Sequence, residues 1–316
     1  MTRRILITGG AGFIGTHLAE RLCDAAPIVL LDNFRRDSLA AVPALREHAN
    51  VSVVAADVGD GAALERALDG VGTVLHLAAI AGVSSYYREA LRTLQVNILG
   101  TAVLLEHAAR AGIEHFIHFS TSEVFGPDAL WVDEEAGFRI GPVSDRRWVY
   151  ATSKLAGEQL ALRTAEEYGF RCSVVRPFNV YGPRQTGEGA ISNFCAAAAA
   201  GQPLTVHGDG SPIRAWCYVS DLVDAVEVLV AHPPTNGEAF NVGNPTEVET
   251  TLGLVRRIVQ LAPGARVEFR PVERAEVRVR IPNIEKAKRL LGFAPRVGLD
   301  DGLARTLAWF RGKEAS

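Results

Sequence analysis

The sequence predicts an α/β fold with a doubly wound parallel sheet, and three observations support this prediction. Short apolar and β-branched runs alternate with longer segments of helical periodicity along the first half of the chain. Glycines follow the first of these runs directly, and polar residues follow the ends of several others. This pattern is typical of repeated strand–helix–strand units, whose parallel sheets are covered by helices on both faces.

The predicted strands are short and apolar, and they lie at residues 5–8, 28–31, 51–55, 74–77, 116–120 and 172–176. The segments with helical periodicity lie at residues 16–24, 64–68, 90–111, 150–168 and 219–230. Residues 196–200 are all alanine. Because alanine is the best helix former, this run is predicted to extend a helix.

The pattern changes beyond about Pro177, where glycine and proline interrupt shorter elements. We therefore expect a sheet-bearing domain at residues 1–177 and a smaller α/β C-terminal lobe, mainly for substrate, at residues 178–316. Residues 215–242 are expected to return to the first domain. The sequence has no internal repeat and no linker rich in Pro, Gly or Ser that would separate independent domains.

Composition excludes several classes of function. The 316 residues include 33 basic and 36 acidic side chains, and the formal net charge of -3 creates no field that favours nucleic acid or an anionic membrane. No apolar run approaches the roughly 20 residues of a membrane span, so we expect a soluble cytoplasmic protein. The four cysteines lack CxxC spacing and the eight histidines are dispersed, so no metal site is expected.

Three glycines stand between the first strand and the first helix, in the segment TGGAGFIG at residues 8–15. Gly9 allows the tight turn, Gly12 lets the backbone approach a pyrophosphate, and Gly15 permits close packing of the helix on the strand. The start of the helix offers N–H donors and a partial positive charge to the phosphates. This turn predicts a Rossmann-like sheet that binds a dinucleotide; an ordinary strand–helix turn is the alternative.

The residues after the second strand bear on the choice of cofactor. Asp32 ends this strand, where a carboxylate can accept hydrogen bonds from a ribose. Its charge also repels a 2′-phosphate, which favours NAD over NADP. Arg35 and Arg36 leave NADP open, because they could hold such a phosphate if their loop turned inward. Asp57 and the backbone at residues 78–79 follow later strands and are weaker cofactor contacts.

Tyr150 and Lys154 stand four residues apart at the start of a predicted helix, so they project from the same face. A lysine ammonium favours the phenolate and lets Tyr150 accept a proton from a substrate hydroxyl. Thr121 and Glu123 follow an apolar strand, at the edge where open α/β sheets bind ligands. Thr121 can hold the same hydroxyl, and Glu123 is interpreted as a free carboxylate for acid–base chemistry. The alternatives are a surface i,i+4 pair and, for Glu123, a helix cap or a salt bridge.

Four stretches of the sequence resemble the extended short-chain dehydrogenase/reductases that act on nucleotide sugars: TGGAGFIG at 8–15, STSEVFG at 120–126, YATSK at 150–154 and RPFNVYGPR at 176–184. Within that family the chain is most similar to the UDP-glucuronate decarboxylase group. This similarity lies in SSYYREALRTLQVN at 84–97, TSE at 121–123, GPVSDRRWVY at 141–150, PLTVHGDGSPIRAWCYVSDLV at 203–223 and NVGNPTEVET at 241–250. Phe125 and Asn283 depart from the family, which usually has tyrosine and aspartate there, and this leaves the details of the sugar pocket open.

The resemblance implies three sets of site residues. The catalytic set is Thr121, Glu123, Tyr150, Lys154 and Arg280. The substrate set is Tyr86, Thr121, Asn179, Arg184, Leu204, Val206, Arg214 and Arg280. The cofactor set is Gly9, Gly12, Phe13, Ile14, Gly15, Asp32, Asn33, Asp57, Val58, Leu77, Ala78, Ala79, Asn97, Ser120, Tyr150, Lys154 and Pro177. Arginine suits the diphosphate and the sugar acid because its planar guanidinium binds phosphate and carboxylate bidentately. Surface charges are the interpretation for the remaining arginines considered, Arg274, Arg278 and Arg296.

The resemblance also implies a reaction. With NAD, C4 of UDP-glucuronate is oxidised, CO2 leaves from the resulting β-keto acid, and C4 is reduced again to give UDP-xylose. Arg280 would position the carboxylate, and Glu123 would assist the ring change or the protonation. A 4-epimerase, a 4,6-dehydratase and a non-catalytic NAD-binding scaffold are the alternatives. Ser122 stands where dTDP-glucose 4,6-dehydratases usually carry aspartate, which disfavours that dehydration.

The resemblance further implies a homodimer. In this family, helices that match residues 90–111 and 150–168 pair across a two-fold axis. Both segments have faces rich in alanine and leucine, although burial against the sheet explains part of the same apolar surface.

Overall fold

Strands and helices alternate along most of the chain, of which the computed structural model describes residues 3–232, 236–272 and 277–312. The strands, in chain order, are β1 (Arg4–Thr8), β2 (Ile28–Asp32), β3 (Val51–Ala55), β4 (Val71–His76), β5 (His115–Phe119), β6 (Asp128–Val132), β7 (Arg171–Pro177), β8 (Val180–Tyr181), β9 (Leu204–His207), β10 (Ile213–Ala215), β11 (Cys217–Tyr218), β12 (Glu238–Val242), β13 (Val248–Thr250), β14 (Val267–Arg270) and β15 (Val279–Pro282). The helices are α1 (Phe13–Leu22), α2 (Pro43–Arg46), α3 (Gly61–Ala67), α4 (Val83–Arg88), α5 (Ala90–Leu94), α6 (Thr101–Ala111), α7 (Val149–Tyr168), α8 (Ala190–Ala199), α9 (Val219–Ala231), α10 (Thr251–Leu261), α11 (Glu285–Leu291) and α12 (Leu299–Phe310).

The central sheet has seven strands in the order β12-β7-β5-β4-β1-β2-β3, and every pair in it is parallel. This confirms the predicted doubly wound α/β fold. The strand order reverses direction next to β1, and at such a point the carboxyl ends of the strands open into a ligand-binding crevice. The glycine-rich turn and the segment after β5 both leave the sheet at that edge.

The two faces of the central sheet pack against different helices because side chains alternate along a strand. In β1, Ile5 and Ile7 belong to one buried cluster, which also contains residues of α1, α8 and α9. Leu6 points to the opposite cluster, which contains residues of α3, α6 and α7. None of the described helices is both long and apolar enough to cross a membrane.

The predicted elements differ from the structure mainly at their ends. The predicted strand at residues 74–77 corresponds to β4, which begins earlier, at Val71. Gly72 and Thr73 interrupt the apolar run in the sequence, but they do not interrupt the strand. The predicted helix at residues 90–111 consists of α5, one π-helical segment at Gln95–Gly100, and α6. A π-helical turn is wider than an α-helical turn, and such turns are frequent at functional sites.

A second sheet has the strand order β13-β10-β15-β6. Its strands β10 and β15 run parallel, and their register sets Arg214 beside Arg280. Strand β6 pairs with β15 and follows the short turn that contains Glu123. This sheet therefore brings residues from the C-terminal part of the chain to the edge of the central sheet where β5 ends.

The chain also returns to the central sheet late in the sequence. Strand β12, at Glu238–Val242, pairs with β7 in parallel and forms one edge of the sheet. Leu222, Val226 and Leu229 of α9 are buried in the same cluster as Ile5 and Ile7. The division of the chain into a cofactor domain and a substrate lobe stays a prediction.

A buried ion pair ties α7 to the central sheet. Arg176 of β7 donates to Glu158 of α7 through Nε, at 3.0 Å, and through Nη2, at 2.7 Å. The exposed fractions of the two side chains are only 5% and 3%. The Ser120 hydroxyl also donates to Glu158, and Arg176 donates to the carbonyl of Glu134. This network holds the helix that carries Tyr150 and Lys154 against the end of β5.

We expect Arg176→Met to lower the free energy of unfolding by about 3–5 kcal/mol, because it leaves the Glu158 carboxylate buried without its partner. The double variant Glu158→Leu/Arg176→Met removes both charges and is expected to recover most of that loss. Urea unfolding of both variants is the measurement, with Arg171→Met at the exposed start of β7 as the control. Equal losses in the single and the double variant would contradict this account.

Candidate functional site

The turn between β1 and α1 has a geometry that only glycine can adopt. Gly9 has a φ of +69°, and a Cβ atom there would lie 2.8 Å from the backbone nitrogen of Ala78, at the end of β4. A Cβ atom on Gly15 would lie 2.6 Å from the carbonyl oxygen of Gly9. Side chains at either position would therefore push apart the turn, the helix and the neighbouring strand.

This turn forms one wall of a cavity of about 350 Å³ at the carboxyl edge of the sheet. Most of the cofactor residues predicted from the sequence line it, and they are Gly9, Gly12, Phe13, Ile14, Gly15, Asp32, Asn33, Asp57, Val58, Leu77, Ala78 and Ala79. The cavity therefore has the shape and the wall chemistry that a dinucleotide needs. It extends to Ser85, the neighbour of Tyr86 in α4.

Asp32 is held in place by the backbone around it. Its Oδ2 atom accepts a hydrogen bond from the amide of Ala11 at 3.0 Å, and its Oδ1 atom accepts one from the amide of Phe34 at 2.8 Å. Burial raises the pKa of the Asp32 carboxyl, and these two amides oppose that rise. The carboxylate is thus fixed at the cavity wall, beyond the end of β2.

Arg35 and Arg36 also line the cavity, but each has partners on the protein. Arg35 makes a bidentate ion pair with Glu89. Arg36 donates to the carbonyl of Ala81 at 2.9 Å and lies 3.6 Å from a carboxylate oxygen of Glu188. Because acidic side chains already balance both guanidinium groups, the loop does not present a ready site for a 2′-phosphate.

Glu188 is a cavity residue that the sequence analysis missed. Its Oε2 atom accepts from the amide of Ser84 at 2.6 Å, and its Oε1 atom accepts from the amide and the hydroxyl of Ser85 at 2.9 and 2.8 Å. Like Gln185 and Thr186, it lines the cavity. A glutamate in a glycine-rich loop carries no pattern by which sequence inspection could have found it.

Three predicted cofactor residues are engaged with the protein itself. Asn97, in the π-helical segment, bonds to both backbone groups of Ile80 and donates to the Ser153 hydroxyl. The Ser120 hydroxyl donates to Glu158, as described above. Pro177 ends β7 in register with Val242. These residues do not line the cavity, and their contact with a cofactor stays a prediction.

Tyr150 and Lys154 lie in the first two turns of α7, and Lys154 is only 2% exposed. Burial lowers the pKa of Lys154 to about 8, while the Glu158 carboxylate opposes this shift. Burial raises the pKa of Tyr150, and the Glu123 charge raises it further. A hydrogen bond with Thr121 and the positive charges of Arg36 and Arg280 lower it. Arginines and Thr121 thus favour the phenolate here, and the same contribution from Lys154 stays a prediction.

Glu123 is not a free carboxylate, which corrects the sequence interpretation in favour of the salt-bridge alternative. Arg147 binds it bidentately, with Nη1 at 2.5 Å from Oε2 and Nη2 at 3.2 Å from Oε1. Arg280 adds an Nη1 atom at 3.5 Å from Oε1. Burial alone would raise the pKa of Glu123, but Arg147 and Arg280 outweigh it and the pKa lies below its usual range. Glu123 is therefore ionised at neutral pH.

Tyr86, in α4, lies in this cluster, and its predicted contact with a sugar stays a prediction. Its hydroxyl accepts a hydrogen bond from Arg147 Nη1 at 2.6 Å, and its side chain is 1% exposed. Its ring stacks on the ring of Tyr150, with 6.0 Å between centroids and 6° between planes. Burial raises the pKa of the Tyr86 phenol, which therefore remains neutral.

Arg280 has unsatisfied donors in the site. The side chain is 4% exposed, and its Nε and Nη2 atoms find no hydrogen-bond partner among the described residues. Its neighbour Arg214 instead donates to the carbonyls of Ile213 and Val277. A guanidinium edge buried without acceptors is costly, so these donors of Arg280 are left for an acceptor that the described residues do not supply.

The remaining substrate candidates lie apart from the Glu123 cluster. Arg184 has a φ of +68° and pairs with Glu20 of α1 at 2.5 Å. Asn179 donates through its side chain to the carbonyl of Ala215. Leu204 and Val206 have fully buried side chains, so only the backbone of β9 is available to a nucleotide there. The roles of these four residues toward a substrate stay predictions.

Two of the arginines interpreted as surface charges form ion pairs, and the two residues that depart from the family pattern, Phe125 and Asn283, contact their neighbours in the fold. Arg278 pairs with Asp128, and Arg296 pairs with Asp224. Arg274 lies outside the described residues. The Phe125 ring packs against Phe178 and beneath the guanidinium of Arg176, and the Asn283 side chain accepts from the amide of Glu285 at the start of α11.

One group of potential metal ligands comes together that the sequence analysis did not foresee. Cys23, Asp24 and His48 have ligand atoms within 4.8 Å of one another. The amide of Asn50 donates to His48 Nδ1 at 3.2 Å. The His48 Nε2 atom lies 3.4 Å from the Asp24 carboxylate. One ring nitrogen of His48 is therefore already bound to the backbone, and the other faces the aspartate.

The chain is similar to known proteins along nearly its whole length. Residues 5–243 match the NAD dependent epimerase/dehydratase family. A UDP-N-acetyl-α-D-glucosaminuronate decarboxylase of Bacillus cytotoxicus is 34% identical, over 98% of each chain. UDP-glucuronic acid decarboxylase 1 of Xenopus tropicalis is 35% identical, over 98% of this chain and 72% of that protein. The crystal structure of UDP-glucuronic acid 4-epimerase from Bacillus cereus, in complex with UDP-glucuronic acid and NAD, has a TM-score of 0.90 at 28% identity and covers 98% of this chain and 99% of that chain.

The family match runs from β1 through β12, so it includes every strand of the central sheet. It also includes the glycine turn, the cavity above it and the Tyr150 helix. A dinucleotide fits this cavity, since Gly9 and Gly15 leave the backbone open where side chains would block it. The chain therefore belongs to the NAD-dependent epimerase/dehydratase family, the extended short-chain dehydrogenase/reductases, and its cofactor is NAD.

Proposed function

We propose that the protein is a UDP-glucuronate decarboxylase that uses NAD without net consumption and forms UDP-xylose. The observation that carries this proposal is the buried edge of Arg280, whose Nε and Nη2 atoms have no partner among the described residues. A carboxylate accepts two parallel hydrogen bonds from such an edge, and a neutral hydroxymethyl group cannot. The site is thus complementary to a sugar acid.

The charges around Arg280 support the same choice. Arg147 and Arg280 carry two positive charges, and Glu123 carries one negative charge. A sugar carboxylate on Arg280 would bring the number of negative charges to two and would balance the three side chains. Buried charges are stabilised when they are paired and hydrogen-bonded, so the bound uronate is favoured over a neutral hexose.

The relatives agree with a UDP-sugar acid as substrate. Those from Bacillus cytotoxicus and Xenopus tropicalis are decarboxylases of such acids, and the epimerase from Bacillus cereus was crystallised with UDP-glucuronic acid. Decarboxylation is supported by two relatives at 34% and 35% identity, whereas that epimerase is 28% identical. We therefore assign the decarboxylation to this chain and keep 4-epimerisation as the alternative.

In the first step, oxidation at C4 of the sugar, separate residues bind the cofactor and accept the proton. Gly9, Gly12 and Gly15 would hold the pyrophosphate of NAD, and Asp32 would bind its adenosine ribose. When bound, NAD accepts a hydride from C4 of the sugar and later returns it. Tyr150 takes the proton of the C4 hydroxyl, and Thr121, which is hydrogen-bonded to Tyr150, orients that hydroxyl.

The second step follows from the ketone at C4. The bond between C5 and the carboxylate breaks, CO2 leaves, and the electron pair is delocalised into the C4 carbonyl as an enolate. Tyr150, now protonated, donates a hydrogen bond to that oxygen. A proton from solvent water then adds to C5, and Tyr150 returns its proton to the C4 oxygen when the ketone is reduced. Because Glu123 is ionised, its role is to balance Arg147 and Arg280 while the substrate carboxylate is present and after it has left.

A direct test is incubation of the protein and NAD with UDP-glucuronate, with mass spectrometry of the nucleotide sugars and measurement of released CO2. We expect CO2 and a UDP-pentose. A parallel reaction with UDP-N-acetylglucosaminuronate tests the substrate of the Bacillus cytotoxicus relative. A UDP-hexuronate of unchanged mass but changed C4 configuration would replace decarboxylation with epimerisation, and turnover of neutral UDP-glucose alone would reject a uronate substrate.

Arg280 provides a sharper test of substrate choice. We expect Arg280→Gln to lower kcat/KM for UDP-glucuronate by about 100-fold or more, because the carboxylate loses a charge-assisted bidentate partner worth about 3 kcal/mol. Binding of UDP, which lacks the carboxylate, is expected to change little and is measured by calorimetry. Arg278→Gln, which changes an exposed arginine near β15, is the control. An unchanged kcat/KM in Arg280→Gln would exclude this residue from recognition of the sugar acid.

The cofactor site has its own test. We expect Gly9→Ala to abolish NAD binding, because its Cβ would lie 2.8 Å from the backbone of Ala78. Titration with NADH, followed by nicotinamide fluorescence, measures the loss. Gly112→Ala is the matched control, since Gly112 also has a positive φ, of +67°, but a Cβ there meets nothing within 4 Å. Its expected cost is about 1 kcal/mol of folding stability with NAD binding intact. Equal NADH affinity in both variants would contradict the proposed site.

We propose further that two copies associate through the outer face of the segment α5–α6 and of α7. Leu91 and Leu99 lie there with exposed fractions of 69% and 60%. Leu91→Arg/Leu99→Arg is expected to convert a dimer into a monomer in light scattering, whereas Leu290→Arg on α11 leaves the mass unchanged. A monomeric wild-type chain would reject this assembly.

A further inference from the structure

We propose that Arg147 is a positioning residue that holds Glu123 as an ionised carboxylate and fixes the Tyr86 ring against Tyr150. This inference rests on the proposed function only in that the reaction takes place at Tyr150 and beside Glu123. Arg147 stands three residues before Tyr150, in the short helical turn Arg146–Trp148 that leads into α7. The sequence analysis gave it no role, because a second arginine beside Arg146 looks like a surface charge.

The backbone of Arg147 is anchored before its side chain enters the site. The carboxylate of Asp145 accepts from the Arg147 amide at 2.8 Å and from the Tyr87 hydroxyl at 3.1 Å. The side chain then runs inward, where its exposed fraction is 6%. Its guanidinium carbon lies 5.5 Å from the ring centroid of Trp148. The Asp145 carboxylate therefore fixes the backbone from which the Arg147 side chain extends, and the Trp148 ring packs near its guanidinium.

Arg147 divides its donors between two targets. The bidentate bond to Glu123 uses Nη1 and Nη2, and Nη1 also donates to the Tyr86 hydroxyl. Tyr86 stacks on Tyr150 at 6.0 Å with nearly parallel rings. A continuous chain of contacts thus runs from the carboxylate through the guanidinium and one aromatic ring to the reacting phenol.

Arg147 and Arg280 are not equivalent partners of Glu123. Arg147 contacts the carboxylate at 2.5 Å and has its donors directed to protein groups, whereas Arg280 is 3.5 Å away and keeps one edge free. Arg147 therefore satisfies Glu123, which leaves Arg280 available to the ligand. If Arg147 were absent, Arg280 would be drawn toward Glu123 as its one close cation.

The other groups around Glu123 cannot replace this charge. Arg280 of β15 and Arg214 of β10 lower the pKa of Glu123, and burial raises it. The facing phenols of Tyr86 in α4 and Tyr150 in α7 carry no positive charge in either protonation state, and burial raises the pKa of each. Without Arg147, only Arg280 and Arg214 oppose the effect of burial, and Glu123 takes up a proton at a higher pH than in the intact site.

The experiment compares Arg147→Met with Arg147→Lys and with the control Arg146→Met, which changes the exposed neighbour. In Arg147→Met we expect kcat/KM for the UDP-sugar to fall on the order of 100-fold, since loss of alignment at a reacting group has effects of that size. The acid limb of its pH profile moves to higher pH, because protonated Glu123 no longer balances the site. Arg147→Lys, which restores the charge, is expected to return the limb toward its original position. Arg146→Met retains the wild-type profile.

A second readout does not depend on turnover. Infrared difference spectra between acid and neutral pH are expected to show a protonated carboxyl band in Arg147→Met at a pH where the wild-type band is absent. The band is lost in Arg147→Met/Glu123→Gln. If the protein proves to be an epimerase, decarboxylation fails while this titration still reports on Arg147. An unchanged acid limb and an unchanged carboxyl titration in both Arg147 variants, with only a lower thermal midpoint, would overturn the proposal.

Discussion

The structure of the site depends on how the Glu123 carboxylate is kept charged next to the Tyr150 phenol. Glu123 is buried beside Tyr150, and both groups are destabilised in their charged forms by the loss of water. Arg147 resolves this conflict by binding Glu123 at 2.5 Å, so that the negative charge is neutralised within the wall of the site. Arg280 is then left as the positive group without its full set of acceptors. The positive charge of Arg280 is thus the one in this cluster whose donors lack acceptors among the described residues.

These contacts require three parts of the chain to converge. Glu123 lies in the turn after β5, Arg147 precedes α7, and Arg280 lies in β15 of the second sheet. The Glu158–Arg176 ion pair fixes the helix α7 to the central sheet, and β6 joins the turn after β5 to β15. The same parallel arrangement that opens the sheet for a dinucleotide also places the second sheet above its carboxyl edge. The cofactor cavity and the cluster around Glu123 thereby share one framework.

The sequence predicted those features that are encoded over short stretches of chain. The glycine turn with Gly9 is a local pattern, Asp32 ends a recognisable strand, and Tyr150 follows its neighbours at helical spacing. Contacts that span many residues could not be predicted in this way. Arg147 and Glu123 are separated by 24 positions, and Glu188 reaches an amide 104 positions earlier. Glu123 looked free because nothing near it in sequence marks its partner, and only the folded chain brings that partner within reach.

Because β12 returns to the central sheet late in the sequence, it limits which parts of the chain can be replaced. Since Glu238–Val242 forms the outer strand beside β7, a chain cut after Pro177 would leave β7 with an unpaired edge of backbone N–H and C=O groups. The C-terminal half cannot be replaced as one block without removing a strand of the cofactor framework. Segments inside the C-terminal half, such as the second sheet with β10 and β15, can be exchanged without removing a strand of the central sheet, whereas a foreign lobe fused after Pro177 would leave β7 without β12.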